Sequence, residues 1–593
     1  MRIVRVSLFV VSLLFSFNIF AQKVHSHNDY EHTVPFWEAF SAGCQSIEAD
    51  VILKNAELYV AHNLPDITEE MTLKKAYLAP LDKLMHSEKV KAFDLQILID
   101  CKTAGIPTLQ QIVKDIESFP SLSHQDNPAK KVRFVISGNR PAPEQYKDYP
   151  NFIGFDHQSL DDLASIDLSK VDLVSFSFGS FSKWNGKGRL VHADEDRIRK
   201  VIEKVHALGK PIRLWATPDS KTAWYTMSQL GVDFVNTDQP YKCVAYVKSL
   251  AENVQDFAAM HDVYTPKFKT DDSAVKNIIF MIGDGNGLAH ISAGLYANNA
   301  QLNLSQLKSI GLVKTNSADD LVTDSAAGAT AFASGKKTNN RYIGMGADNE
   351  KLPTLFEILA PQGFNTALIT TDEITGATPS AFYGHVLDRD MSGDLANQFM
   401  NSNVRYTAAG GAKYFKQNKG GLKIVTDLNE IRANSTQPQA YFPTEGGLPS
   451  IIDGRGPFLQ SAFTAVSGAL KTEHKPFILM LENGFIDGSG HKNDAEMLIA
   501  EEKDFDKTVG LAMQYVDENP GTLLIITADH ETGGVSLSHG SVQDRKVDIQ
   551  FDSHDHTGIL VPIFAYGPGA AHFQGVYENT AVFEKILKVL GKK

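Results

Sequence analysis

Asn277-Ile278-Ile279-Phe280-Met281-Ile282-Gly283-Asp284-Gly285 reads as a strand with no solvent-facing side, closed by a turn that carries a carboxylate. Such a run suits the middle of a sheet covered by helices on both faces. Downstream, Thr366–Thr370, Phe477–Leu481, Leu523–Thr527 and Val561–Ala565 read the same way. Acids and histidines stand just past these runs: Asp284, then Glu482 with Asp487 and His491, then Asp529 and His530. Open parallel sheets bind ligands outside the carboxyl ends of their strands. One sheet edge therefore collects oxygen and imidazole donors. Taken singly, each is ordinary turn or cap chemistry. Together, several buried carboxylates need a cation to offset their desolvation. Zn²⁺ beside Mg²⁺ fits donors that include no thiolate.

A second stretch adds a nucleophile. In Leu321-Val322-Thr323-Asp324-Ser325-Ala326-Ala327-Gly328-Ala329-Thr330-Ala331, Ser325 opens a helix of small residues. A helix start favours a phosphoryl oxygen, and a serine there can be activated. Asp324 or Ser325 could equally serve only as an N-cap. Residues 391–475 are poor in apolar runs and rich in Gly, Asn and Pro, and read as an insertion over the sheet.

The 593 residues are 43% hydrophobic and 21% charged, which supports buried cores in more than one domain and excludes wholesale disorder. Lys+Arg is 57 against Asp+Glu 70, a formal charge of −13 that argues against a nucleic-acid-binding surface. Small anionic substrates stay open, because a local metal or basic pocket overrides net charge. Residues 1–21 read as a signal peptide: Arg2 and Arg5, an apolar run Val6–Phe20, and small Ala21 before Gln22. The run is short for a bilayer span. The expectation is export to the periplasm or the exterior after cleavage near Ala21, with no stable membrane anchor. Cys44, Cys101 and Cys243 sit in apolar surroundings and read as small buried residues.

Residues 22–250 alternate strand and helix patterns. The strands are Ser46–Ile52, Leu95–Asp100, Arg133–Ser137, Phe152–Phe155, Leu173–Phe176, Pro211–Ala216 and Phe234–Asn236, with a helix at Asp194–Leu208. Regular βα units of this length suit a closed parallel barrel. Residues 251–274 read as a linker, and 275–593 as the second α/β unit. In the barrel half, period two puts His25 with His27, Glu48 with Asp50, and Asp100 with Lys102 on shared faces, and His62 follows a short strand. Carboxylates and histidines at strand C-termini make a cation site flanked by a general acid and base.

Residues 275–593 resemble the alkaline phosphatase family. The resemblance rests on Phe280–Gly285, Val322–Ala327, Ala377-Thr378-Pro379-Ser380-Ala381, Glu482–Asp487 with His491, Thr527–Gly534, and His556-Thr557-Gly558, in this order. It implies an α/β/α sandwich, two Zn²⁺ and one Mg²⁺. Asp487, His491 and His556 would hold one zinc. Asp284, Asp529 and His530 would hold the other, next to Ser325 as nucleophile. Asp284, Thr378 and Glu482 would hold magnesium. Arg389 would clamp phosphate and Asp324 would orient it. Gly376 and Gly488 depart from relatives that carry charged or imidazole groups there. A formylglycine sulfatase is excluded, because Ser325 is followed by Ala326-Ala327-Gly328-Ala329 and not by a Pro-x-Arg pattern. Thr323, a nucleophile type of related diesterases, lies off the matching position.

Residues 22–250 resemble the glycerophosphodiester phosphodiesterase and phosphatidylinositol-specific phospholipase C-like barrels. The matching pieces are Val24–Tyr30, Ser46–Val51, His62, Ile99–Lys102 and Leu230–Asp238. The resemblance implies a (β/α)8 TIM barrel in which Glu48, Asp50 and Asp100 bind one Mg²⁺ or Ca²⁺. His62 and either His25 or His27 would exchange protons, and Lys102 would meet phosphate. The expected substrates are small phosphate mono- and diesters. Two alternatives stand beside this reading: a catalytically inactive barrel used for binding or targeting, and a diesterase of the alkaline phosphatase superfamily. Relatives of the phosphatase are often dimers, which leaves a homodimer open.

Overall fold

The computed structural model describes residues 22–161, 166–256, 260–267 and 274–592; the expected signal peptide at 1–21 lies outside them. The chain divides into two compact units between Ala251 and Glu252. Among the described residues no helix is long and apolar enough to cross a membrane.

The first unit is a closed barrel. Eight parallel strands, Lys23–Ser26, Ser46–Lys54, Phe93–Cys101, Lys130–Gly138, Ile153–His157, Val171–Ser177, Ile212–Trp215 and Phe234–Thr237, pair in sequence order. The first strand closes the ring by pairing with both the second and the last. Glu57–Val60 folds back antiparallel on the second strand and delivers His62 to its end. Leu98, Val135, Leu173 and Phe234 fill the ring, and Ile47, Ile97, Ile99, Phe134 and Ile136 belong to the layer beneath the helices. All three cysteines are buried and unpaired.

The second unit is an α/β/α sandwich around a ten-stranded sheet. Its order is 423–425, 439–441, 404–410, 365–373, 477–483, 277–283, 522–527, 561–566, 309–314 and 575–578. The opening strand shows why both faces are covered. Ile278, Phe280 and Ile282 pack on one side against Ala326, Ala329 and Phe332 of the Ser325–Ser334 helix. Ile279 and Met281 pack on the other against Val466, Leu470, Phe505 and Met513 of helices Phe458–Glu473 and Ala495–Glu518. Each such large apolar side chain contributes about 1.5–3 kcal/mol on burial.

Two expectations are corrected here. Residues 391–475 are not simply an insertion over the sheet, although their helix Phe458–Glu473 packs on one of its faces. They extend its edge through Val404–Gly410, Lys423–Val425 and Gln439–Tyr441, with Tyr406 and Ala408 buried. These strands are short and Gly-flanked, which hid them among turn signals. Nor is the whole 251–274 stretch a free linker. Val254–Asp256 pairs antiparallel with 546–548, while His261 and Tyr264 bond Asp506 and Asp517 of the long helix.

A buried charge cluster fixes that helix to the sheet. Arg455, fully buried at its side chain, meets Glu501 at 2.5 Å and Asp504 at 2.9 Å. Asn483, at the end of the central strand, donates to Glu501 at 3.1 Å. Truncating one partner strands buried charge. Arg455→Ala should therefore lower unfolding free energy by about 3–5 kcal/mol, read as a lower urea midpoint of the second unit; an unchanged midpoint would contradict this packing role.

Candidate functional site

In the second unit the donors converge because their strands run parallel in register. Ile282 stands opposite both Glu482 and Thr527, so Asp284, Glu482 and Asp529 leave adjacent strands at one level. Gly285 turns sharply there with φ +73°, and a Cβ on it would stand 2.7 Å from the Asp487 Cα. Only glycine allows that approach.

Two groups of three donors form. Asp487, His491 and His556 bring ligand atoms within 4.8 Å of one another, and so do Asp284, Asp529 and His530. His530 Nε2 stands 3.3 Å from Asp284 Oδ1 and 3.4 Å from Asp529 Oδ2, and both oxygens are buried without a hydrogen bond. Ser325 Oγ lies 3.2 Å from the same Nε2. His491 Nε2 and His556 Nε2 are 3.1 Å apart.

The ring orientations show what this edge fits. His491 Nδ1 pairs with the His554 carbonyl at 2.6 Å, and His556 Nδ1 with the Thr323 carbonyl at 2.9 Å. A carbonyl only accepts, so each Nδ1 carries a proton and Nε2 is the inward-facing atom that would ligate a cation. Inward Nε2 atoms and unbonded carboxylate oxygens would be satisfied together by divalent cations. The donor set, nitrogen and oxygen without sulfur, suits zinc.

The electrostatics agree. Burial, then Asp529, pushes the Asp284 carboxyl well above its usual range. Burial, then Asp487, pushes Asp529 up to about 6. Burial, then Asp372, pushes Glu482 up to about 8. Burial, then the His556 ring stacked 3.6 Å away, holds His530 well below the imidazole range. Against burial, His491 and the other imidazoles hold Asp487 below the carboxylate range.

Asp324 caps the Ser325 helix through Ala327 N–H and holds Arg389 Nη1 at 3.1 Å. One first-turn donor is thereby used by the cap. Thr378 Oγ1 donates to Asp284 Oδ2 at 3.3 Å, and Thr370 donates to Glu482. Neither Thr370 nor Asp372 was singled out from sequence; period two from the strand end was the available signal.

In the first unit, Asp50 and Asp100 are register partners, and with Glu48 they place ligand atoms within 4.8 Å. The Oδ1 atoms of Asp50 and Asp100 are buried without a hydrogen bond, which suits a hard cation. Lys102 Nζ bridges Asp50 at 2.9 Å and Asp100 at 2.5 Å. His62 Nδ1 pairs with Asp50 at 2.8 Å. The two early histidines differ. His25 is wholly buried between Ser46, Glu48 and Arg213; burial, then Arg213, lowers it to about 3. His27 is partly exposed and pairs with Asp238 at 2.7 Å; against burial, that bond raises it. Arg213, 3.0 Å from Glu48, was missed from sequence, although a charge inside the apolar run Ile212–Trp215 was the signal.

Comparison with known proteins follows the same division. The family described as Alkaline phosphatase matches residues 275–427, 412–544 and 538–592. An AIM6-like phosphodiesterase domain matches 14–108, and the glycerophosphoryl diester phosphodiesterase family matches 211–241. Alkaline phosphatase 4 of Bacillus subtilis is 28% identical over 415 residues, covering 54% of this chain and 90% of that protein. The alkaline phosphatase of the Antarctic bacterium TAB5 is 36% identical, covers 55% of this chain and 100% of its own, and superposes with a TM-score of 0.52. A histidine variant of that enzyme, 35% identical with a TM-score of 0.52, was solved with magnesium bound.

A pH test follows for chelated protein. Glu482, raised to about 8, and His491, raised to about 9 chiefly by its bond to Asp487, both hold protons more tightly folded than unfolded. Their stabilisation is therefore lost as pH rises through those values. The opposing effect of a lowered His530 ends by its ordinary value, 6.5. Calorimetry should show Tm falling between pH 6.5 and pH 8 without metal, and a shallower fall with zinc and magnesium present. A flat metal-free Tm would contradict the assignment.

Proposed function

The chain belongs to the alkaline phosphatase family, and from that membership we propose an exported phosphomonoesterase that works through a phosphoserine at Ser325. The observation that carries this reading is the Ser325 hydroxyl, 3.2 Å from His530 Nε2, at a helix start flanked by Arg389 and by both three-donor groups. Asp487, His491 and His556 would hold one zinc, Asp284, Asp529 and His530 a second, and Asp284, Thr378 and Glu482 a magnesium. When bound, these ions would lower the pKa of the serine hydroxyl and of a water and neutralise the leaving oxygen.

The chain's own groups do the rest. Asp324 fixes Arg389 by one Nη, which leaves the remaining guanidinium donors for two phosphate oxygens. Ser325 Oγ attacks phosphorus in line; the new O–P bond forms as the P–O bond to the alcohol breaks, and the alcohol leaves. Water then attacks the phosphoserine from the opposite side, releasing inorganic phosphate and restoring the serine. Arg389 and the free helix-start N–H groups stabilise the equatorial oxygens in both steps.

For the barrel the supported reading is a diesterase with one Mg²⁺ or Ca²⁺ on Glu48, Asp50 and Asp100. The His27–Asp238 and His62–Asp50 pairs are placed to exchange protons. His25, buried and neutral, instead positions Glu48 with Arg213. Adjacency in one chain then favours a relay: the barrel opens a diester and the second unit removes phosphate from the monoester.

Ser325→Ala should cut phosphomonoester turnover by at least about 10³-fold while zinc content stays at the wild-type level. Retained turnover would remove the phosphoserine route. His62→Ala should abolish phosphate release from a glycerophosphodiester and leave monoester hydrolysis intact; release from the diester equal to that of the wild-type chain would remove the relay.

A further inference from the structure

Gly376 joins the strand Asn365–Glu373 to the turn Ala377–Ser380 that carries Thr378. Its backbone, φ −58° and ψ 159°, is open to every residue, so conformation does not require glycine there. Space does. A Cβ at position 376 would stand 2.1 Å from Asp372 Oδ2 and 2.8 Å from its Cγ. Asp372 occupies the volume that a side chain at 376 would need.

The strand aims Asp372 at this place. Thr370 stands opposite Glu482 in the ladder, and period two puts Asp372 on the same face. The Asp372 N–H donates to Thr370 Oγ1 at 2.9 Å, and that hydroxyl donates onward to Glu482. Asp372 Oδ1 accepts the Glu373 N–H at 2.7 Å. Its Oδ2 accepts no hydrogen bond among the described residues. Two more glycines shape the cradle: a Cβ on Gly447 would lie 3.3 Å from Oδ1, and one on Gly484 would lie 3.7 Å from the Asp372 Cβ and 3.8 Å from Glu482 Oε1. A carboxylate with an uncommitted oxygen therefore lies beside Glu482, itself close to Thr378 and Asp284, where Asp284 Oδ1 is buried and unbonded. Arg389 offsets part of the Asp372 charge, and a cation in the pocket would offset the rest of this like-charge crowding.

We propose that Asp372 is a further acidic wall of the magnesium pocket, entering from the strand end through the space Gly376 leaves, and orders the water shell of the ion. The proposal rests on the reading that Asp284, Thr378 and Glu482 hold magnesium. Its role is positional, because Asp372 touches no reacting atom.

The test titrates zinc-loaded full-length protein with MgCl2 under equilibrium dialysis, counting magnesium and zinc in the same samples by elemental analysis. Asp372→Asn, nearly isosteric, should weaken magnesium about 10-fold and leave zinc unchanged. Gly376→Ala, which expels the Asp372 carboxylate, should do the same. Asp372→Ala combined with Gly376→Asp returns a carboxylate to that volume from the neighbouring backbone and should recover most of the loss. Wild-type magnesium affinity in Asp372→Asn would overturn the proposal while leaving the magnesium reading intact. A wild-type protein that takes zinc but no magnesium would overturn that reading and this proposal together.

Discussion

Like charge crowded at one edge of a sheet is the constraint on which the second unit is built. Asp284, Glu482 and Asp529 leave neighbouring strands at nearly one level, Asp487 joins them from the first turn of helix Phe485–Lys492, and His491 and His556 turn Nε2 toward them. Proteins do not bury such a set without compensation. The surrounding architecture answers it. Carbonyls fix the ring tautomers, glycines let backbones approach, and a buried Arg455–Glu501–Asp504 cluster holds the helix behind the central strand. The serine adds little charge of its own and stands where the compensating cations would act on it.

Both architectures were legible because their strands are doubly buried. Ile278–Ile282 and Leu523–Thr527 have no polar face, so their apolar runs survive without periodic cues. The edge strands were not legible. Ser309–Lys314 mixes exposed Ile310 with buried Val313, and Gly575–Glu578 is largely exposed, so neither reads as core. The donors Asp284, Glu482, Asp487, Asp529 and His530 were readable because each follows a readable strand. Asp372 was not. Its significance comes from empty space at residue 376, and volume is a three-dimensional property.

The barrel shows the same limit in another form. Glu48, Asp50 and Asp100 could be read from strand alternation, and the structure brings them together. Sequence left His25 and His27 open, since both fall on one face. Burial distinguishes them: His25 lies under Arg213, whose arrival from a strand 188 residues away is invisible in local pattern, whereas His27 meets Asp238 at the rim.

The carbonyl of Thr323, which orients His556, belongs to the segment that presents Ser325. Asp284 and Ser325 come from the early part of the unit and Asp487, His491, Asp529, His530 and His556 from its later part, so they meet only when distant strands have paired. Such topology requires loop closure over most of the unit, with its entropic cost, before the centre is complete. Before those strands pair, neither three-donor group is complete, so the full donor set exists only in the folded unit.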